Sequence, residues 1–247
     1  MQNKDKTLQN YTFKNGIKDG LPIGLGYLSV SFAFGVQASI AGIPLLMSVF
    51  ISMTNLTSAG QLAGLNIIVA IGTLLEMALT QLVINARYFL MSITLTQKLD
   101  GSFSFPHRLL CSAFVTDEIF AVAAAKPKPF GRKYFYGLVI LPYIGWSLGT
   151  LLGGAAGNIL PSFITNALGI ALYAMFIAII VPPSIVTKGV LPTVIIASGI
   201  SCAFYYLPVL NSISTGIAII ISALVTAMIM ALIFPIDKKE NLEKGDD

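Results

Sequence analysis

Residues 45–70 read LLMSVFISMTNLTSAGQLAGLNIIVA, a stretch without a charged residue that is long enough to cross a bilayer. Its centre is polar, because it contains Thr54, Asn55, Thr57, Ser58, Gly60, Gln61 and Asn66. A break in a membrane helix persists only where protein or a watery cavity covers the freed backbone groups. We therefore predict a helix that is broken near Ser58-Ala59-Gly60. One long tilted helix with its polar face packed inward is the alternative.

The rest of the chain repeats this pattern of long apolar runs. Of its 247 residues, 55% are hydrophobic and 11% are charged, and the mean hydropathy is +0.82. Soluble domains carry about 25% charged residues, so a soluble surface is excluded. The runs are continuously apolar, whereas the strands of a membrane barrel alternate. They cover residues 21–41, 45–70, 74–95, 109–125, 134–157, 163–182, 189–207 and 213–236.

These runs predict an all-α, polytopic membrane protein of about eight hydrophobic segments, with at least one broken helix. Residues 21–236 form the transmembrane domain in this interpretation. Residues 1–20 and 237–247 are polar tails.

The basic residues indicate the orientation, since short cytoplasmic loops are rich in Lys and Arg. With eight spans and a cytoplasmic N-terminus, the inner side holds twelve of them and the outer loops hold two, Lys98 and Arg108. The inner residues are Lys4, Lys6, Lys14, Lys18, Lys126, Lys128, Arg132, Lys133, Lys188, Lys238, Lys239 and Lys244. Both termini are therefore predicted to be cytoplasmic. Basic residues at segment ends also argue against a nucleic-acid partner, which needs them clustered on one face.

Glycines recur every four residues in two of the runs. The fifth run contains Gly145, Gly149, Gly153 and Gly157 along one face, and the start of the first run is preceded and entered by Gly16, Gly20 and Gly24. Small residues at this spacing let helix backbones approach closely. Tight packing is the favoured interpretation, and a sliding surface is the alternative.

Four charged residues, Glu76, Arg87, Asp117 and Glu118, lie inside or at the edge of predicted spans. A charge at the centre of a span costs about 2.5–3.5 kcal/mol on insertion scales, so it persists where it pairs or lines a route. One cation cannot neutralise three acids. Asp117 and Glu118 point about 100° apart on a helix, so we expect one to meet Arg87 and the other to face the route.

The third span carries two polar stripes at helical spacing, one with Gln81, Asn85, Tyr88 and Ser92 and one with Glu76, Thr80, Arg87 and Thr94. A helix that is polar on two sides is expected to be surrounded by protein or to face a cavity.

These groups suit a zwitterion such as an amino acid. An arginine offers bidentate geometry to a carboxylate, and broken helices in transporters offer positive ends and free carbonyls. A purely structural pair between Arg87 and an acid of the next span remains the alternative.

Two motifs resemble the AzlC family of branched-chain amino acid exporters. NARYFLMS at residues 85–92 is similar to the family's N/D-x-R-H-x-L segment, and TDEIFA at 116–121 is similar to its T-D-E-x-F-A segment. Residues 16–35 (GIKDGLPIGLGYLSVSFAFG) resemble the family's first span, and Ser58-Ala59-Gly60-Gln61 matches its second only loosely. The family's histidine after the arginine is Tyr88 here. If that histidine carries protons in relatives, this chain does so otherwise, or through Asp117 and Glu118.

The resemblance, which spans residues 16–235, implies export of leucine, valine, isoleucine and similar amino acids across a bacterial cytoplasmic membrane. It also implies a small, separately encoded membrane subunit of the AzlD type. A homo-oligomer is a further expectation. The predicted substrate-binding residues are Arg87, Asn85, Asp117, Glu118, Thr116, Ser58, Gln61 and Tyr88.

An intramembrane enzyme is the main rival class. The single histidine, His107, lies at a span edge, and Cys111 and Cys202 are 91 residues apart within apolar runs. This pattern predicts no metal site and no cofactor, and we expect the protein not to be an enzyme. A passive channel and a structural subunit of a larger complex are two more classes compatible with the sequence.

The charge distribution generates a first test. Tags at either terminus of the protein in right-side-out cells are expected to be inaccessible to an external label, because twelve basic residues against two place both ends inside. Labelling of either tag from outside would contradict this orientation.

Overall fold

The computed structural model describes residues 11–157, 159–161, 163, 164, 167, 170, 177, 180, 181 and 183–234. Nine α-helices have both ends within these residues. They are α1 (Phe13–Ile40), α2 (Leu45–Thr54), α3 (Ser58–Val69), α4 (Leu74–Thr96), α5 (Phe105–Ser112), α6 (Asp117–Ala124), α7 (Arg132–Ala156), α8 (Val190–Tyr206) and α9 (Thr215–Ile233).

The fold class predicted from the sequence is confirmed. Four helices, α1, α4, α7 and α9, are long and apolar enough to cross a membrane. Helices α2, α3 and α8 are apolar but shorter. The described residues form no strand, and Leu99 and Phe130 make only an isolated bridge.

The chain forms two compact units. The first comprises Met1–Leu65 and Ile84–Ala174, and the second comprises Asn66–Val83 and Met175–Asp247. Helices α3 and α4 each begin in one unit and end in the other.

Most predicted segments correspond to helices, and the largest boundary shift is in the first. Helix α1 begins at Phe13 rather than at residue 21, and the Thr12 hydroxyl caps it by accepting from the Asn15 N–H at 3.3 Å. Most of the sixth predicted segment, residues 163–182, lies outside the described residues, and so do the last two residues of the eighth, 235 and 236.

The predicted break in the second segment is confirmed. Helix α2 ends at Thr54 and α3 begins at Ser58, so the break lies at residues 55–57, just before the predicted position. Thr57 starts the second half, because its hydroxyl accepts from the Gly60 N–H and its carbonyl accepts from the Gln61 N–H. A local cap thus replaces part of the lost helical hydrogen bonding.

The fourth predicted segment, residues 109–125, is not one span. It is divided into α5 and α6, with residues 113–116 between them. The Thr116 hydroxyl caps α6 by accepting from the Ile119 N–H, and Asp117 and Glu118 occupy its first turn. Threonine followed by two acids is a helix start signal that outweighs continuous hydropathy here.

The glycines of α1 and α7 make tight packing, as the sequence predicts. The two helices run parallel, since their contacts advance together from Gly16 beside Tyr134 to Gly35 beside Thr150. A Cβ at Gly20 would collide with the Leu138 carbonyl oxygen, and one at Gly145 with the Gly24 carbonyl oxygen. The backbones therefore touch with no side chain between them.

Aromatic residues form a hydrophobic core cluster at the start of α7. Phe130, Tyr134, Phe135 and Ile119 are at most 1% exposed, and the ring of Phe130 stacks on that of Phe135. This cluster joins the start of α7 to α6 and fixes the α5–α6 break beside it.

Of the two surroundings predicted for the third span, the structure shows the cavity, which is lined by Asn85 and Tyr88 of α4, whereas protein does not surround this helix in the single chain. In α4 only Glu76, Thr80 and Leu95 are buried. Its leucine-rich side is exposed, with Leu75, Leu79, Leu82, Phe89, Leu90 and Ile93 between 43% and 69% accessible. At 100° per residue these six fall on one stripe, so the helix has a third, apolar side that lies between its two polar stripes.

The α1–α7 interface generates a matched pair of variants. Gly20→Ala is expected to lower the free energy of unfolding by about 1–3 kcal/mol, because the added methyl meets backbone. Gly26→Ala in the same helix has no atom within 4 Å of its Cβ and is expected to be neutral or slightly stabilising. Thermal unfolding of the purified proteins checks both. Equal midpoints for the two variants would show that the glycine contact does not limit packing.

Candidate functional site

Arg87, in the second half of α4, forms an ion pair with Asp117 at the start of α6. Its Nη1 lies 2.8 Å from Asp117 Oδ2, and its Nη2 donates to the Tyr88 hydroxyl at 3.0 Å. The guanidinium carbon also lies 4.8 Å from the centre of the Tyr88 ring. The side chains remain 42% and 28% exposed, so the pair is reachable rather than sealed in a core.

Glu118 has a different partner from its neighbour. The buried Tyr27 hydroxyl of α1 lies 2.5 Å from Glu118 Oε2 and 2.6 Å from the Thr116 hydroxyl. The prediction that one of the two acids meets Arg87 is confirmed, and that acid is Asp117. The Tyr27 ring packs edge-on against Trp146 of α7, at 5.0 Å between ring centres. The α1–α7 pair thus positions the hydroxyl that holds the α6 start.

A cavity of about 110 Å³ joins the two helix breaks. The α2–α3 break contributes residues 54–57, α4 contributes Asn85 and Tyr88, and the α5–α6 break contributes Ser112, Ala113 and Val115. Pockets for drug-sized ligands measure about 300–1,000 Å³. This cavity therefore suits only a small solute or part of one.

Gln61 and Ser58 do not line this cavity. Gln61 is 1% exposed, and its Nε2 donates to the Ser52 hydroxyl at 2.6 Å, which lies 2.6 Å from the Thr150 hydroxyl of α7. Its Oε1 is buried without a hydrogen-bond partner among the described residues. Ser58 is the half-buried first residue of α3. The Gln61–Ser52–Thr150 chain ties both halves of the broken helix to α7.

The structure thus brings together most of the predicted substrate-binding residues. Asn85 and Tyr88 line the cavity, and Arg87 joins it through its hydrogen bond to Tyr88 and its ion pair with Asp117. Thr116 and Glu118 lie at the adjoining start of α6. Sequence reasoning missed Tyr27 and Thr57. A polar aromatic residue within an otherwise apolar span was the available signal for Tyr27, since a buried hydroxyl needs a partner.

No group of three or more His, Cys, Asp or Glu side chains that could hold a metal ion occurs in the part of the chain that the structure describes. His107 lies outside the cavity, where Nδ1 is 2.7 Å from the Tyr136 hydroxyl and Nε2 accepts from Arg132 Nη1 at 2.7 Å.

A family model described as "AzlC protein" matches residues 22–160. The chain belongs to the AzlC family. The matched region contains Tyr27, the two broken helices and all eight predicted substrate-binding residues. The resemblance drawn from the central motifs is therefore confirmed.

Relatives of this AzlC-family chain are membrane proteins. It is 30% identical to the inner membrane protein YgaZ of Escherichia coli over 68% of this chain and 71% of that protein. It is 31% identical to a membrane protein of Archaeoglobus fulgidus over 69% of this chain and 75% of that one. A Helicobacter pylori membrane protein is 25% identical over 68% and 73% of the two chains. No solved structure matches the chain.

Single cysteines test the cavity in a background with Cys111 and Cys202 replaced. Asn55→Cys and Ala113→Cys are expected to react with a membrane-impermeant thiol reagent, because both positions line the cavity. Gln61→Cys is expected to stay unreactive, because Gln61 is 1% exposed. Labelling after denaturation in detergent is the control for all three. Inert cavity positions, or a Gln61→Cys that reacts as fast as they do, would contradict the described break.

Proposed function

We propose that this AzlC-family protein is a transporter that exports branched-chain or similar apolar amino acids from the bacterial cytoplasm. Transport is coupled to an ion or proton gradient and uses a small membrane subunit of the AzlD type. The observation that carries the proposal is the meeting of two interrupted helices at one polar cavity, beside the Arg87–Asp117 ion pair.

Broken helices favour transport because they place unsatisfied backbone groups at membrane depth. Such groups are tolerated where they line a cavity, and half-helix N-termini attract the anionic part of a substrate. Helices α3 and α6 both begin at a break whose residues line this cavity. The α6 start already holds two acids, so the α3 start is the better site for a carboxylate.

The ion pair supplies the charges that a zwitterion needs. Arg87 is a bidentate partner for the substrate carboxylate, and Asp117 is a partner for its ammonium group. Without substrate the two side chains neutralise each other at 2.8 Å, and their partial exposure leaves them free to exchange partners. A substrate that carries both charges replaces each contact, so neither side chain loses its counter-charge.

The walls of the cavity favour an apolar side chain. Leu56, Ala113 and Val115 lie beside the polar residues of the two breaks. Burying each methylene of a ligand contributes about 0.8 kcal/mol, so leucine, isoleucine and valine would gain over glycine or alanine.

A transporter accounts for these residues better than an enzyme does. Asp117 and Glu118 bind different partners and do not form a carboxylate dyad. His107 is bonded on both ring nitrogens, away from the cavity. The proposal therefore assigns the polar residues to substrate binding rather than to catalysis, in a protein with both termini on the cytoplasmic side.

Efflux of a panel of amino acids, from cells with and without a candidate small subunit, tests the proposal together with Arg87. Arg87→Lys keeps the charge but loses the planar fork, so expression is expected to survive while efflux of leucine, isoleucine and valine falls. Arg132→Lys is the matched control, because Arg132 contacts His107 outside the cavity. Unchanged efflux in Arg87→Lys would argue against a carboxylate contact.

A double variant separates binding from a structural ion pair. Arg87→Ala alone is expected to destabilise the protein by more than the about 0–1 kcal/mol of an exposed pair and by less than the about 3–5 kcal/mol of a buried one. Arg87→Ala with Asp117→Asn is expected to recover abundance but not efflux. Full efflux by this charge-free variant would show that the pair only fixes α4 to α6.

A further inference from the structure

Glu76 is a buried acid in the second unit that the proposed transport site does not use. It lies in the first turn of α4, is 7% exposed, and its Oε1 accepts from the Gly216 N–H at 2.8 Å. Neither ion pair among the described residues includes Glu76. An acid within a membrane domain is costly and is usually functional, so its surroundings are informative.

Two buried hydroxyls, one on α4 and one at the start of α9, have no hydrogen-bond partner among the described residues. One is Thr80 Oγ1, one turn further along α4 on a side chain that is fully buried. The other is the hydroxyl of Ser214, the N-cap residue of α9. A buried polar atom without a partner costs about 1–3 kcal/mol, so native structures seldom leave such atoms unsatisfied.

Oxygens of Glu76 and Thr80 both lie beside Gly216, in the first turn of α9. A Cβ built on Gly216 would lie 2.6 Å from Glu76 Oε1 and 2.8 Å from Thr80 Oγ1. Both oxygens therefore lie beside the same point of the backbone, two residues after Ser214. Glycine at this position lets the carboxylate and the hydroxyl approach so closely.

Capping of α9 by Glu76 explains part of this arrangement. The Ser214 side chain makes no cap hydrogen bond, and the Glu76 carboxylate caps the helix instead. The cap uses Oε1 but leaves the Thr80 and Ser214 hydroxyls unexplained. A ligand that binds oxygen atoms of all three side chains would explain them together.

We propose that Glu76, Thr80 and Ser214 form a binding site for a dehydrated sodium ion at the N-terminus of α9. Hard cations take carboxylate and hydroxyl oxygens, and a single charge balances the single carboxylate. A divalent ion is disfavoured, because Glu76 is the only acid among the described residues of the second unit and one carboxylate balances only one positive charge. If the proposed export is correct, this ion is the coupling ion, and that last step rests on the proposed function.

Thermal unfolding of the purified full-length protein tests the site without any amino-acid substrate. Sodium chloride is titrated against choline chloride at constant ionic strength and pH, and binding of radioactive sodium is measured in parallel. Sodium is expected to raise the midpoint saturably, since a ligand that binds only the folded state stabilises it. Thr80→Val and Ser214→Ala are each expected to weaken the apparent sodium affinity by about tenfold, and Glu76→Gln is expected to abolish the effect.

Thr226→Val is the matched control. Thr226 is also a buried hydroxyl on α9 without a partner in the described part of the chain, about 15 Å along the helix from Gly216. Its sodium response is expected to equal that of the unmodified protein. If Glu76→Gln does not fold, the two hydroxyl variants still decide the question.

Two results would overturn the site. They are the absence of a sodium-specific shift and an equal sodium affinity in Thr80→Val and the unmodified protein. The binding measurement and the efflux assay are independent. Failure of one proposal is therefore distinguishable from failure of the other.

Discussion

The parallel contact between α1 and α7, made backbone to backbone through their glycines, is the constraint on which the first unit depends. With no side chain between the two helices, their register is fixed over most of their length. This register places Tyr27 of α1 against Thr116 and Glu118, and Thr150 of α7 against Ser52. Each contact holds one of the two broken helices, so the packed pair supports both breaks.

The two breaks are capped in the same way but are attached to the rest of the first unit by different interactions. Thr57 and Thr116 each cap the helix that follows, through a hydroxyl that accepts a backbone N–H. The first break is then tied to the scaffold by neutral side chains, Gln61 and Ser52. The second is tied by charge, through Arg87 and Asp117. A cavity between one neutral and one charged break presents polarity on several sides to a solute.

Three acids of the predicted spans, Asp117, Glu118 and Glu76, have different partners and therefore different proposed roles. Asp117 faces a guanidinium, Glu118 a tyrosine hydroxyl, and Glu76 the amide of a helix start. The three carboxylates have similar chemistry in the sequence. Their surroundings separate a substrate contact, a positioning contact and an ion site in the functions proposed for them.

The sequence by itself determined the membrane class, the broken second segment, the glycine packing and the family, because hydropathy, small-residue spacing and short motifs are local properties of the chain. It also placed Arg87 near one of two adjacent acids, since helical geometry makes their side chains diverge. Only the tertiary structure decided which acid it was, divided residues 109–125 into two helices, and brought Tyr27 to Glu118 across 91 positions. It also showed that α4 keeps an exposed apolar side. Those outcomes depend on which surfaces meet, and no local pattern in one sequence specifies that.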